Sequence, residues 1–146
     1  MSTPFGPQLI GETEKTLNAL LRLFLEGTGV TESQWVTLRL AERLDGSVDA
    51  MGLAAAVADR AHLSNAAALV DELTHRGLLD DGRLTSAGRE MTAAIQTTIA
   101  TTTAPIWESL PDEDVAAATR VLNEIVTRAR AVLAASRLTR VKVKNV

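Results

Sequence analysis

Arg60, His62, Ser64 and Asn65 fall within six residues of one another, and Arg83 follows further along the chain. None of them belongs to a pattern that makes or breaks covalent bonds; what they share is hydrogen bonding. An asparagine amide offers a donor beside an acceptor, the complement of an adenine edge. Arginine and histidine complement phosphate oxygens. Covalent chemistry finds no counterpart: there is no glycine-rich phosphate loop and no nucleophile elbow. Asp112, Glu113 and Asp114 are better explained as acids opposing the positive end of a helix dipole than as a catalytic pair. His62 and His75 lie thirteen apart in a chain without cysteine, a poor metal set. The sequence therefore predicts no enzyme, no metal and no cofactor.

Composition agrees with a recognition role on a helical scaffold. The 146 residues are 46% hydrophobic but only 3% aromatic, so leucine, valine and alanine must fill the core. Without cysteine, disulfides are excluded. No apolar run approaches the ~18 residues of a membrane span, and the first residues lack a secretion signal, so a cytoplasmic protein is expected. The net charge of −3 is uneven. Four of the fifteen cations, Arg137, Arg140, Lys142 and Lys144, sit in residues 137–146 with no acid among them. That leaves eleven cations against eighteen acids, or −7, over residues 1–136. Any attraction to a polyanion must come from a local patch.

The elements that position these side chains follow from periodicity and punctuation. Leu9, Ile10, Leu17, Leu20, Leu21, Phe24 and Leu25 form a helical stripe over residues 9–26, stopped by Gly27 and Gly29. Thr31 and Gln34 have capping-box spacing, with Val30 and Trp35 as a hydrophobic staple. That helix carries Val36, Leu38, Leu40 and Leu44 to the Asp45-Gly46 turn. Asp49 caps a third helix that buries Leu53, Ala54 and Val57 and breaks over Asp59–His62. Ser64 is placed to cap a fourth helix, with Leu69, Val70 and Leu73 inward and Gly77 ending it. Leu78-Leu79 and Arg83-Leu84 flank Asp80-Asp81-Gly82, a tight-hairpin signal. Thr85 then caps a long helix through Met91, Ile95 and Ile99 towards Pro105. Its threonines at 97–98 and 101–103 are weak helix formers, so it needs tertiary support. A last helix opens after Pro111, with a stripe of Val115, Leu122, Ile125, Val126, Val132 and Leu133, and frays from about Ser136.

Two short helices, a hairpin and a capped long helix make a helix-turn-helix with a wing, an element that lays one helix in a DNA major groove. The order resembles the MarR family of winged-helix transcriptional regulators over roughly residues 9–135. The resemblance is carried by Thr31-x-x-Gln34, Leu53-Ala54, Leu69-Val70-Asp71-Glu72-Leu73, Arg76-Gly77-Leu78-Leu79 and Leu84-Thr85-Ser86-Ala87-Gly88. It implies a mainly α, winged-helix fold of six helices in a single domain. Residues 31–88 would form the winged helix-turn-helix, and residues 9–27 and 106–135 would form the dimer hub, followed by a basic tail, 137–146. It implies a homodimer on a pseudo-palindromic duplex, most simply a repressor that releases double-stranded DNA when a small aromatic ligand binds.

Under that resemblance Ser64 and Asn65 read base edges, Arg60 and His62 touch phosphate, and Arg83 reaches from the wing towards a minor groove. Plainer roles stay open for each: Ser64 as a helix cap, Asn65 as a solvated side chain, Arg83 paired with Asp80 or Asp81. Trp35 and Trp107 are first of all core residues; with Met51 they would line the ligand crevice. The sequence departs from the family in three ways. The turn between the two short helices is about two residues longer, and the wing is cut to Asp80-Asp81-Gly82-Arg83. Ala66-Ala67-Ala68 replaces the usual hydrogen-bonding residues. The last two departures, with the acidic body of the chain, favour an alternative, a winged-helix module that binds a protein or small molecule and no DNA.

Overall fold

The computed structural model describes residues 2–145, which form six α-helices and one two-stranded sheet. In chain order these are α1 (Pro7–Leu25), α2 (Glu32–Leu44), α3 (Ala50–Ala61), α4 (Ala66–His75), β1 (Leu79–Asp80), β2 (Arg83–Leu84), α5 (Ser86–Trp107) and α6 (Asp112–Lys144). The fold is a mainly helical winged helix-turn-helix, as the residue pattern predicts. The chain divides into two compact units, residues 1–103 and 104–146.

The first unit is built around a leucine-rich core. Leu38, Leu53, Val57, Leu73 and Leu79 are fully or almost fully buried, and Val30 and Trp35 are buried beside them. The capping box forms as expected: the Gln34 amide N–H donates to Thr31 Oγ1 at 3.2 Å, and Gln34 Oε1 accepts from the Thr31 N–H at 3.0 Å. Asp49 accepts from the Gly52 N–H at 2.8 Å and starts α3. These caps satisfy amides that a helix leaves unpaired at its first turn.

The end of α4 sets the path of everything after it. Gly77 adopts a left-handed conformation (φ 74°). The Leu78 N–H then reaches back to Leu73 O, and the Gly77 N–H to Thr74 O, both at 3.0 Å. This double return is a Schellman motif, and glycine suits its left-handed position. The chain emerges into β1, turns through Asp81 (φ 47°) and Gly82 (φ 83°), and returns as β2. Two consecutive positive φ values define the tight turn whose twist matches a hairpin. Leu79 faces Leu84 across the ladder, and both are buried.

Thr85 joins hairpin to helix with three hydrogen bonds. Its N–H donates to Leu78 O at 3.1 Å, its hydroxyl donates to Gly77 O at 2.6 Å, and the same hydroxyl accepts from the Gly88 N–H at 3.0 Å. Gly88 passes so close to the strand that an added Cβ would overlap the Leu78 carbonyl oxygen. The motif Leu84-Thr85-Ser86-Ala87-Gly88 thus has a mechanical reason at its second and last positions.

Several expectations are corrected. α3 does not break at Asp59; it runs to Ala61, so Arg60 is helical. Asn65, not Ser64, precedes α4, and no side chain caps that helix. Arg76 ties the end of α4 to the start of α2: its guanidinium donates to Gly29 O at 2.9 Å and to Gln34 Oε1 at 3.3 Å. The threonines of α5 settle into their helix by donating to carbonyls four residues back, as Thr97, Thr98, Thr101 and Thr103 all do.

In the second unit, α6 does not fray at Ser136 but continues to Lys144, 33 residues in all. Its apolar stripe is not a core: no residue of α6 is buried, and Ile125 is only half-buried.

Gly88→Ala is expected to lower stability by about 1–3 kcal/mol, the usual cost of forcing an extra carbon into a tight contact. Chemical denaturation measures it; an unchanged midpoint would show that α5 is free to back away from Leu78.

Candidate nucleic-acid interface

α3 and α4 pack through Leu53 and Val57 on one side and Val70 and Leu73 on the other, all buried. That leaves the opposite face of α4 to solvent: Ala67, Ala68, Asp71, Glu72 and His75 are exposed. The turn between the helices is His62-Leu63-Ser64-Asn65. His62 closes α3 in a left-handed conformation (φ 55°), a strained state for a residue with a side chain, which histidine tolerates better than most. Leu63 is half-buried against the core and anchors the turn. His62, Ser64 and Asn65 are exposed around it.

The start of α4 has spare hydrogen-bonding capacity. Neither Ser64 nor Asn65 caps the helix, so its first-turn amides have no side-chain acceptor. No acid lies in that first turn either. Exposed amide N–H groups at the positive end of a helix dipole suit a phosphate. The Ser64 hydroxyl and Asn65 amide are not spent on the fold and stand beside them. Further along, Asp71 and Glu72 make the same face acidic. Contact with a polyanion is therefore restricted to the first turn and the residues before it.

The other site residues do not all gather there. Arg60, in the last turn of α3, lines a cavity of about 670 Å³ with Leu21, Trp35, Arg39, Arg43 and Gln96. Arg39 bonds Glu42 and Gln96, and its guanidinium lies 5.8 Å from the centre of the Trp35 ring. Trp35 is thus both a core residue, 7% exposed, and part of a cavity wall. Met51 is 83% exposed and is not part of that wall, while Trp107, 55% exposed, belongs to the second unit.

The wing is short and held in. At its tip Asp81 Oδ1 accepts from the Ala50 N–H at 3.2 Å. A Cβ on Gly82 would come within 2.7 Å of the Asp49 backbone, so the tip lies against the start of α3. Arg83 forms no ion pair with Asp80 or Asp81 among the described residues. Its guanidinium instead lies over Gly46 in the α2–α3 turn, where no side chain obstructs it. Sequence reasoning missed this packing; the Asp45-Gly46 turn signal was visible, but nothing local linked it to Arg83.

Two helices around a tight turn, the second with an open first turn and followed by a hairpin, form a winged helix-turn-helix, a DNA-binding class of fold. The chain belongs to a helix-turn-helix family, whose model matches residues 40–136, from the middle of α2 into α6. No curated protein and no solved structure matches it. Fold and family together make it a DNA-binding helix-turn-helix protein.

Because neither side chain serves the fold, Ser64→Ala and Asn65→Ala should each leave stability within about 0.5 kcal/mol of the parent. A true N-cap would cost roughly 0.5–2 kcal/mol on the same change. Urea unfolding separates the two results, and a loss in that range would return the residue to a capping role.

Proposed function

We propose that this protein is a transcriptional regulator of the MarR type, most simply a repressor, that sets the first turn of α4 into a DNA major groove. One observation carries the reading. Ser64 and Asn65 stand exposed at the start of the second helix of a helix-turn-helix, and neither side chain caps that helix. Asn65 would read an adenine edge through its amide, and Ser64 and the open amides of α4 would hold phosphates. His62 in the turn would add a phosphate contact, with Arg60 and Arg83 supporting it electrostatically. A single α4 reads too few base pairs to select a site. Two copies at fixed spacing, on a pseudo-palindrome, supply the rest.

The cavity beside Trp35 is the natural place for a small ligand in this reading. It lies between α2, the end of α3 and α5, so an occupant would bear on the helix that leads into the turn. Its apolar floor and arginine rim would suit an aromatic acid.

The competing reading keeps the fold and drops DNA. It draws on exposed Asp71 and Glu72 and on a wing whose tip rests on α3. A mobility-shift assay with DNA from beside its own gene decides between them. Under the regulator reading, a retarded band appears and weakens steeply with salt, because phosphate contacts release counterions. No retardation at low salt would leave the interaction-module reading.

Asn65→Ala is expected to weaken specific binding by about 5- to 150-fold, the worth of one bidentate base contact, while non-specific binding stays the same. Arg83→Ala should lower affinity for all sequences alike and reduce the salt slope by about one. An unchanged slope would remove Arg83 from the interface.

A further inference from the structure

We propose that the C-terminal end of α6 is a second DNA contact, in which Arg137, Arg140 and Lys144 hold the phosphate backbone of a duplex without regard to its sequence. This rests on the DNA-binding class of the fold and not on the MarR-type reading. After Glu124 the chain carries six cations, Arg128, Arg130, Arg137, Arg140, Lys142 and Lys144, and no acid. The other nine cations are set against all eighteen acids over residues 1–124. The local excess of positive charge that a polyanion needs is therefore here. It is not on α4, whose exposed face carries Asp71 and Glu72.

Because α6 stays helical to Lys144, these cations occupy fixed faces. At about 3.6 residues per turn, Arg137, Arg140 and Lys144 share an arc of about 60° and span about 10 Å of axis. That length matches about three phosphates of one strand. All three are exposed, and none makes an ion pair among the described residues. The helix dipole explains only part of the pattern. It favours cations in the last turn, where Lys142 and Lys144 lie, whereas Arg137 and Arg140 precede that turn. An anionic bilayer is the other surface a basic helix can meet, but it requires a broad apolar face opposite the charges. The side of α6 opposite Arg137, Arg140 and Lys144 carries Arg128, Thr139 and Lys142, and residues 125–146 include no aromatic residue. A duplex requires only close positive charge, and guanidinium forks can pair with phosphate oxygens bidentately.

Binding of the full-length protein to a random-sequence duplex, followed by fluorescence anisotropy across a salt series, counts these contacts. Arg137→Gln with Arg140→Gln should weaken binding and lower the salt slope by about two, and adding Lys144→Gln by about one more. Arg137→Lys with Arg140→Lys should keep the parental slope. Arg128→Gln with Lys142→Gln removes the same charge from the far side of the helix and should also leave the slope at its parental value. An equal fall in both glutamine pairs would make the effect one of net charge and overturn the contact. So would a change in the sedimentation of the free protein on replacing Arg137 and Arg140, which would assign those residues to assembly. A duplex slope unmoved by their replacement, even where binding to phosphatidylglycerol vesicles is lost, would overturn it too and leave the α4 reading standing. A parent that binds no duplex at low salt would overturn both.

Discussion

The carbonyl of Leu78 is where the second helix of the motif, the hairpin and the long helix α5 meet. It accepts the Thr85 N–H, and Gly88 approaches it more closely than any side chain would permit. The Leu78 N–H meanwhile closes the end of α4 on Leu73. The backbone of one residue thus fixes where α4 stops, how the hairpin leaves and at what angle α5 departs. The three neighbouring requirements are distinct: a left-handed residue at 77, a hydroxyl at 85 and no side chain at 88. Arg76 adds a fourth constraint by binding Gly29 O and Gln34 Oε1, which ties the same junction to the start of α2.

That rigid junction explains the division of labour on α4. Its inner face, with Val70 and Leu73, is committed to the core, and its last turn is committed to the Schellman closure. What is left over is the side chains of His62, Ser64 and Asn65, exposed around the turn, while Leu63 and Ala66 beside them pack into the core. Ser64 and Asn65 sit there with exposed polar atoms, while the acids at 71 and 72 occupy the part of the face beyond. A polyanion approaching this helix meets favourable charge only at the N-terminal end of its axis. The acidic body of the chain sharpens the effect, because long-range attraction is weak and binding must come from close, specific contacts.

Much of this was readable from residue types. The capping box at Thr31 and Gln34, the Asp49 cap, Gly77 at the end of α4 and the tight turn at Asp81-Gly82 all form where their local chemistry requires. Each depends on interactions within a few residues. The expectations that changed involve competition or long range. Ser64 has the chemistry of a cap, but α4 begins one residue later and leaves it unused. The break expected from Asp59 onward comes only at His62, whose left-handed conformation ends α3 after Ala61. Arg83 looked like a wing residue aimed outward or paired with its own acids, and it lies on Gly46 instead.

The amino-acid order by itself determined the succession of helices, their caps, the hairpin turn and the position of the polar residues between α3 and α4. These depend on backbone hydrogen bonding, on glycine's access to positive φ, and on periodicity, all local properties. Only the tertiary structure decided which arginines face which surface: Arg76 onto the α1–α2 loop, Arg83 onto Gly46, Arg60 and Arg43 onto the cavity wall. It also decided that the stripe on α6 is left open rather than folded into the core of its unit. A long cationic side chain can reach many partners, and a stripe of leucine and valine reads the same whether it faces a core or a second molecule. Neither is resolved until the elements are packed.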